Sequence, residues 1–133
     1  MMKTKDELAG FGNITYQYKL NCQSGKINII FTKWFNLYVT TIQDDKEATI
    51  IATKTSEIND LVNRIKLVND KRADNVLLKL YPDQIDIRRI DDKTTIIIIR
   101  DKVNVVQITL SNTQLDQVYH YIRQMLVICK SKL

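Results

Sequence analysis

Rings and cations recur together along this chain. Tyr16, Tyr18, Lys19, Lys33, Trp34, Phe35, Tyr38, Lys79, Tyr81, Arg88, Arg89, Arg100 and Lys102 all fall in or beside segments rich in β-branched and aromatic residues. The pairing has a definite chemistry: a ring stacks on the π-face of any base, while Lys and Arg neutralise the phosphates of an unpaired strand. FTKWFNLY, residues 31–38, concentrates it, with the lone tryptophan between Lys33 and Phe35 and a tyrosine four residues on. Such rings either join the core or stand open as a stacking platform. A bulky ring beside a charge at a strand end is where amphipathic rings lie half exposed, which favours Lys33 and Trp34 as contacts. The full candidate set is Lys19, Lys33, Trp34, Phe35, Tyr38, Lys79, Arg88, Arg89, Arg100 and Lys102. Tyr16 and Tyr18 share a side with Ile14 and Leu20 and read as core, whereas both readings stand for Phe35. Arg88 and Arg89 point to opposite faces of one strand, so at least one guanidinium is directed at solvent or a partner.

Other chemistry finds little footing. Proton-transfer catalysis needs a positioned histidine or a carboxylate pair in a pocket, and the single histidine, His120, reads as a solvent-facing helical residue. No Ser or Cys nucleophile stands at a recognisable spacing, and neither GxGxxG nor GxxxxGK[ST] occurs. Asp44-Asp45 and Asp91-Asp92 read as turn formers and not as metal ligands. Cys22 and Cys129 lie far apart without CxxC spacing and read as reduced thiols. The expectation is a protein that is not an enzyme, with no cofactor and no metal.

The chain has 133 residues and 15.5 kDa, one ordinary domain, with 44% hydrophobic residues to build a core. A net charge of +5 and a pI near 9.2 favour a polyanionic partner. MMKTKDELAGFGN lacks a secretory h-region and a transit-peptide composition, which leaves the Asn13-Ile14-Thr15 sequon without meaning. No apolar run, TTIIIIR included, approaches bilayer length. A soluble, intracellular protein is expected, cytoplasmic or nuclear, without membrane attachment. The abundance of Ile, Asn, Lys and Asp over Gly and Pro would suit an AT-rich genome, a viral one for instance, where the compartment would be the host cell.

These residues are positioned by a repeat. IATKTSEINDLVNRIK (51–66) and ITLSNTQLDQVYHYIR (108–123) match in kind at Ile51/Ile108, Ser56/Thr113, Glu57/Gln114, Ile58/Leu115, Leu61/Val118 and Ile65/Ile122. Each reads as a strand entering a helix capped by a hydroxyl, Ser56 or Thr113. The helices carry apolar stripes, Ile58, Leu61, Val62, Ile65 and Val68 in one and Leu115, Val118, Tyr119, Ile122 and Leu126 in the other. Four strands precede each helix: 14–22, 27–33, 36–43 and 48–54, then 75–81, 84–90, 94–100 and 103–111. The seventh, isoleucine on both sides, reads as central and covered on both faces. The expected fold is α+β, a tandem ββββα repeat (about 13–68 and 75–128) in a single domain 1–133, with residues 1–12 as a flexible N-terminal arm.

Element order over Ile14 to Ile128, clearest in TKTSEINDLVNRIK and ITLSNTQLDQVYHYIR, resembles the Whirly and Pur-alpha-type single-stranded nucleic-acid-binding proteins and the dimeric coactivators of the positive-cofactor-four type. The resemblance implies two antiparallel four-stranded sheets packed crosswise, with two helices covering them near a pseudo-twofold axis. It also implies nucleic acid lying across an exposed β-surface or its edges, and assembly into homodimers or larger rings. The function expected from residues and resemblance together is binding of single-stranded DNA or RNA, DNA favoured, in replication, recombination or transcription. The alternative is a protein-interaction or assembly module, a viral or organellar structural subunit, that pairs through an isoleucine-rich sheet edge.

Overall fold

The computed structural model describes residues 14–131, with side chains from Tyr16 onward; the expected arm, residues 1–12, and Asn13 of the sequon lie outside the described residues. Within them the elements follow the tandem order: β1 (Ile14–Cys22), β2 (Gly25–Thr32), β3 (Leu37–Gln43), β4 (Lys46–Ala52) and α1 (Thr55–Asn69), then β5 (Asn75–Leu80), β6 (Asp83–Arg89), β7 (Thr94–Arg100), β8 (Val105–Ser111) and α2 (Asn112–Ser131). Each half is an antiparallel meander, β1-β2-β3-β4 and β5-β6-β7-β8, leading into its helix. Short turns dictate this, because QSG, DDK and YPD leave no length for a crossover between parallel strands.

The two sheets cross. β4 touches every strand of the second sheet and β8 every strand of the first, whereas aligned sheets would match strand to strand. At the crossing the Thr41 hydroxyl donates to the Val106 carbonyl (3.2 Å) and the Asn104 side-chain amide to the Glu47 carbonyl (3.0 Å). Gly25 sits where the β1–β2 hairpin presses on this junction. A Cβ there would collide with the Ile42 carbonyl oxygen and approach Ile108 Cγ2 to 3.0 Å, so the close approach requires glycine.

Alternation decides which side of each strand is inward. Ile27, Ile29, Phe31, Leu37, Val39, Ile50, Ile85, Ile87, Ile97, Ile99, Val106 and Ile108 are all buried and share one core with both helices. Each such side chain contributes roughly 1.5–3 kcal/mol by leaving water, which is ample reason for the crossing to be fixed. Both apolar stripes lie in that core, joined in α2 by Met125 and Cys129, and the helices pack against each other.

Both helices begin before the hydroxyls expected to cap them. The N-cap of α1 is Lys54, and Glu57 Oε1 accepts from the backbone N–H of Thr53 (2.9 Å) and of Lys54 (3.2 Å). At α2 the Ser111 hydroxyl accepts from the Gln114 N–H (3.2 Å) while Gln114 Oε1 accepts from the Ser111 N–H (3.0 Å), a reciprocal capping box. The glutamate or glutamine three residues on fixes the start in each repeat, so Ser56 and Thr113 fall inside the helices. A second difference concerns β7. It is central, but only its inner side, Thr95, Ile97 and Ile99, is buried; Ile96 and Ile98 look outward, half covered. One sheet of this fold meets protein on a single face, so isoleucine on both sides marks a partly wet apolar surface.

Candidate nucleic-acid interface

Strand register assigns the outward residues. On the second sheet the cross-strand rows are Lys79–Gln84–Arg100–Val105, Leu77–Asp86–Ile98–Gln107 and Asn75–Arg88–Ile96–Thr109. Three sequence-predicted cations, Lys79, Arg88 and Arg100, therefore share one open face, all exposed, around half-covered Ile96 and Ile98. Lys79 and Arg100 stand two strands apart, about 10 Å, and Arg88 lies some four residues further along β6, about 13 Å. The only carboxylate in these rows is Asp86. Arg88 grips it through Nη2 (2.7 Å) and Nε (3.1 Å), a pairing that raises the guanidinium pKa further. Part of the Arg88 charge is thereby offset, while Lys79 and Arg100 project without such a carboxylate in their row.

At the Lys79 end of this face two turns add to it. Tyr81, in the β5–β6 turn, is 93% exposed, and Lys102 and Val103 protrude from the β7–β8 turn. Lys102 borders a cleft of about 460 Å³ with Thr49, Ile51, Pro82, Asp83 and Asp101. The two carboxylates there differ. Desolvation works to raise the Asp101 carboxyl, yet it ends below its ordinary value because its oxygens accept from the backbone amides of Asn104, Val103 and Thr49. Asp83 is pushed up, chiefly by desolvation and then by Asp101. Asp101 thus acts as a turn lock.

The first sheet presents a different outward face. Its rows read Gln17–Ile30–Tyr38–Ile51, Lys19–Asn28–Thr40–Thr49 and Asn21–Lys26–Ile42–Glu47. Asn28, Ile30, Thr40 and Ile42 are buried, so this face is closed at its centre where the second is open. Tyr38 is half buried there, and Lys19 is exposed on the edge strand β1. Lys19, Asn21, Lys26 and Asn28 surround a recess of about 210 Å³ whose donors suit a small anion. Sequence reasoning passed over Lys26, although the hairpin through Gln23 and Ser24 sets it opposite Asn21.

The remaining candidates divide. In the β2–β3 loop Trp34 is 65% exposed with the Lys33 ammonium 4.8 Å from its ring centroid, a cation–π pair held in the open. Phe35 turns inward at φ 62° and packs on Phe31, ring centroids 6.0 Å apart. Arg89 also turns inward: Nη2 donates to the Val68 carbonyl at the end of α1 (2.8 Å) and Nη1 to Asn112 Oδ1 at the start of α2 (2.9 Å). Its guanidinium is a tie between both helices and β6. Arg88 and Arg89 thus obey the alternation, one for each face.

A cavity of about 630 Å³ lies between β1 and α2, lined by Tyr16, His120, Tyr121, Arg123, Met125 and Ile128 among others. His120 reaches it, but its carboxylate neighbour Asp116, at 3.4 Å, is not in the lining. Burial pushes the Tyr121 hydroxyl up to about 12, with Tyr16 adding to the shift, and no partner reaches that oxygen among the described residues. Among the described residues no three His, Cys, Asp or Glu side chains gather as a metal requires, and no helix is long and apolar enough to cross a membrane. No protein-family model matches the chain, and comparison with curated proteins finds no relative.

Proposed function

We propose that the protein binds single-stranded nucleic acid on the outward face of the second sheet. The observation that carries this is Lys79, Arg88 and Arg100 standing exposed around half-covered Ile96 and Ile98, with a single carboxylate among them. Cations there neutralise phosphates, while aliphatic side chains and the protruding Tyr81 ring accept the flat faces of unpaired bases. The net charge of +5 and the tandem ββββα order, in which the chain resembles the Whirly and Pur-alpha-type proteins, support the same reading. A double helix buries its base faces and gives the apolar strip nothing to hold, so unpaired strands are the better fit.

The test is fluorescence anisotropy of a labelled thymidine oligonucleotide against wild type and the triple variant Lys79→Gln, Arg88→Gln, Arg100→Gln. Loss of three phosphate contacts weakens binding roughly tenfold or more at low salt and flattens the slope of log K against log salt by about 2, at about 0.7 per contact for a single strand. A triple variant that binds like wild type refutes this face. A second reading rests on the same strip: Leu77 and Val105 are 43% and 47% exposed beside Ile96 and Ile98, a patch that also fits a protein partner. In that case binding of the partner survives heparin, and the oligonucleotide does not bind.

A further inference from the structure

The four sheet edges are not treated alike. The crossing edges are each stopped by the other repeat: the Thr49 N–H of β4 donates to Asp101 Oδ2 (3.0 Å), and the Thr109 N–H of β8 to the Ser24 hydroxyl (2.9 Å). On β5 the outward Leu77 carbonyl accepts from Arg64 Nε (2.9 Å). β1 differs. Cys22 pairs with Gly25 across a two-residue turn, so the backbones of Cys22, Leu20, Tyr18 and Tyr16 face β2 and those of Asn21, Lys19 and Gln17 face away. Among the described residues that outer edge receives a single hydrogen bond, from Gln114 Nε2 to the Asn21 carbonyl (2.9 Å), at its very end. The longest of the described strands thus leaves the donors and acceptors of Gln17 and Lys19 open among the described residues, the condition under which a further strand adds.

We propose that β1 is the pairing edge for a second copy of this chain, antiparallel across a twofold axis at Tyr18. The register follows from the strand itself. With Tyr18 facing its own copy, Gln17 stands opposite Lys19 twice over, both as hydrogen-bonded pairs. Registers that bring Lys19 against Lys19 place like charges directly opposite and are disfavoured. The same register sets Leu20 of the second copy opposite Tyr16, whose ring is 43% exposed at the mouth of the groove beside α2, where Val127 is 58% exposed. Backbone pairing and apolar contact are met at once, and a symmetric, self-complementary edge makes a second copy a better fit than an unrelated peptide. The two first sheets become one continuous eight-stranded sheet, with the Lys19–Lys26 recesses of both copies on one face. The inference does not depend on the nucleic-acid reading.

Sedimentation equilibrium of the full chain without nucleic acid tests it, with three variants. Gln17→Glu sets a carboxylate against Lys19 twice and tightens the dimer about fivefold, and Gln17→Lys weakens it by a similar factor. Lys19→Pro removes an outward N–H without touching the β1–β2 ladder and gives a monomer. If Lys19→Pro fails to fold by circular dichroism, the order of the two Gln17 variants decides alone. A wild type that stays monomeric at about 1 mM overturns the proposal. So does a dimer whose dissociation constant ignores Gln17, because it must use another surface. An added oligonucleotide is not involved, so failure here leaves the nucleic-acid test standing.

Discussion

Replacing Arg89 by methionine separates two adjacent arginines by what they hold. Methionine keeps much of the aliphatic stem and deletes the guanidinium, leaving the Val68 carbonyl and Asn112 Oδ1 without their donors. Two hydrogen bonds from a charged donor contribute about 1.5 kcal/mol each at the lower end of the range, appropriate for a half-buried side chain. The Arg89 Nε is itself buried without a partner, and its removal returns about 1 kcal/mol. The expected net loss is about 2 kcal/mol. At about 2.1 cal/mol/K per residue over 133 residues, this lowers the Tm by about 7 °C. Arg88→Met, on the wet face and paired with its neighbour Asp86, leaves the urea midpoint and the Tm close to those of wild type. Urea unfolding followed by circular dichroism, with thermal melts beside it, measures both. An Arg89→Met protein within about 0.5 kcal/mol of wild type, or an Arg88→Met protein equally destabilised, refutes the assignment of the two faces.

Other expectations follow from the same geometry. Asp101→Asn removes the charge from an oxygen pair serving three backbone amides and costs about 1–3 kcal/mol at neutral pH, read from urea midpoints. Because the Asp101 pKa is lowered in the fold, that stabilisation is present above the unfolded value and disappears as pH falls through the folded one, so wild type and variant converge in strong acid. Asp83 has the opposite sign: its raised pKa makes the charged form unfavourable in the fold, so Asp83→Asn raises the Tm at pH 7 and the difference vanishes below its titration. Burial pushes the Cys22 thiol up to about 11, against a hydrogen bond involving the Ile27 backbone that lowers it; alkylation of the native protein at pH 8 therefore runs about a hundredfold slower than in urea.

Much of the architecture was legible because alternation, turn chemistry and helical stripes all pointed the same way. β1 and β7 have the bounds read from sequence, and every residue of both apolar stripes is buried. The misreadings have local causes. Ser56 and Thr113 looked like caps because hydroxyls usually are, but Glu57 and Gln114 reach back to the strand ends and start each helix earlier. TTIIIIR looked covered on both sides because isoleucine density cannot distinguish a buried face from a half-covered outward one. Which half of the arginine pair faces solvent was open to alternation alone. The answer needed the inner partners Val68 and Asn112, brought to β6 by two helices. Lys26 was hidden for a similar reason, since its neighbours Lys19 and Asn28 become a recess only once the hairpin closes.

Binding of single strands is put to the test by titrating the protein with oligo(dT) at two salt concentrations, duplex DNA as control, following Trp34 fluorescence and the anisotropy of a labelled strand. Trp34 is 65% exposed beside Lys33, so its emission starts solvent-like and responds to any strand that crosses the β2–β3 loop. Saturable binding of the single strand is expected by anisotropy, weakening with salt and much poorer for duplex. Flat anisotropy at low salt for every oligonucleotide would contradict it and leave the apolar strip at Ile96 and Ile98 to a protein partner.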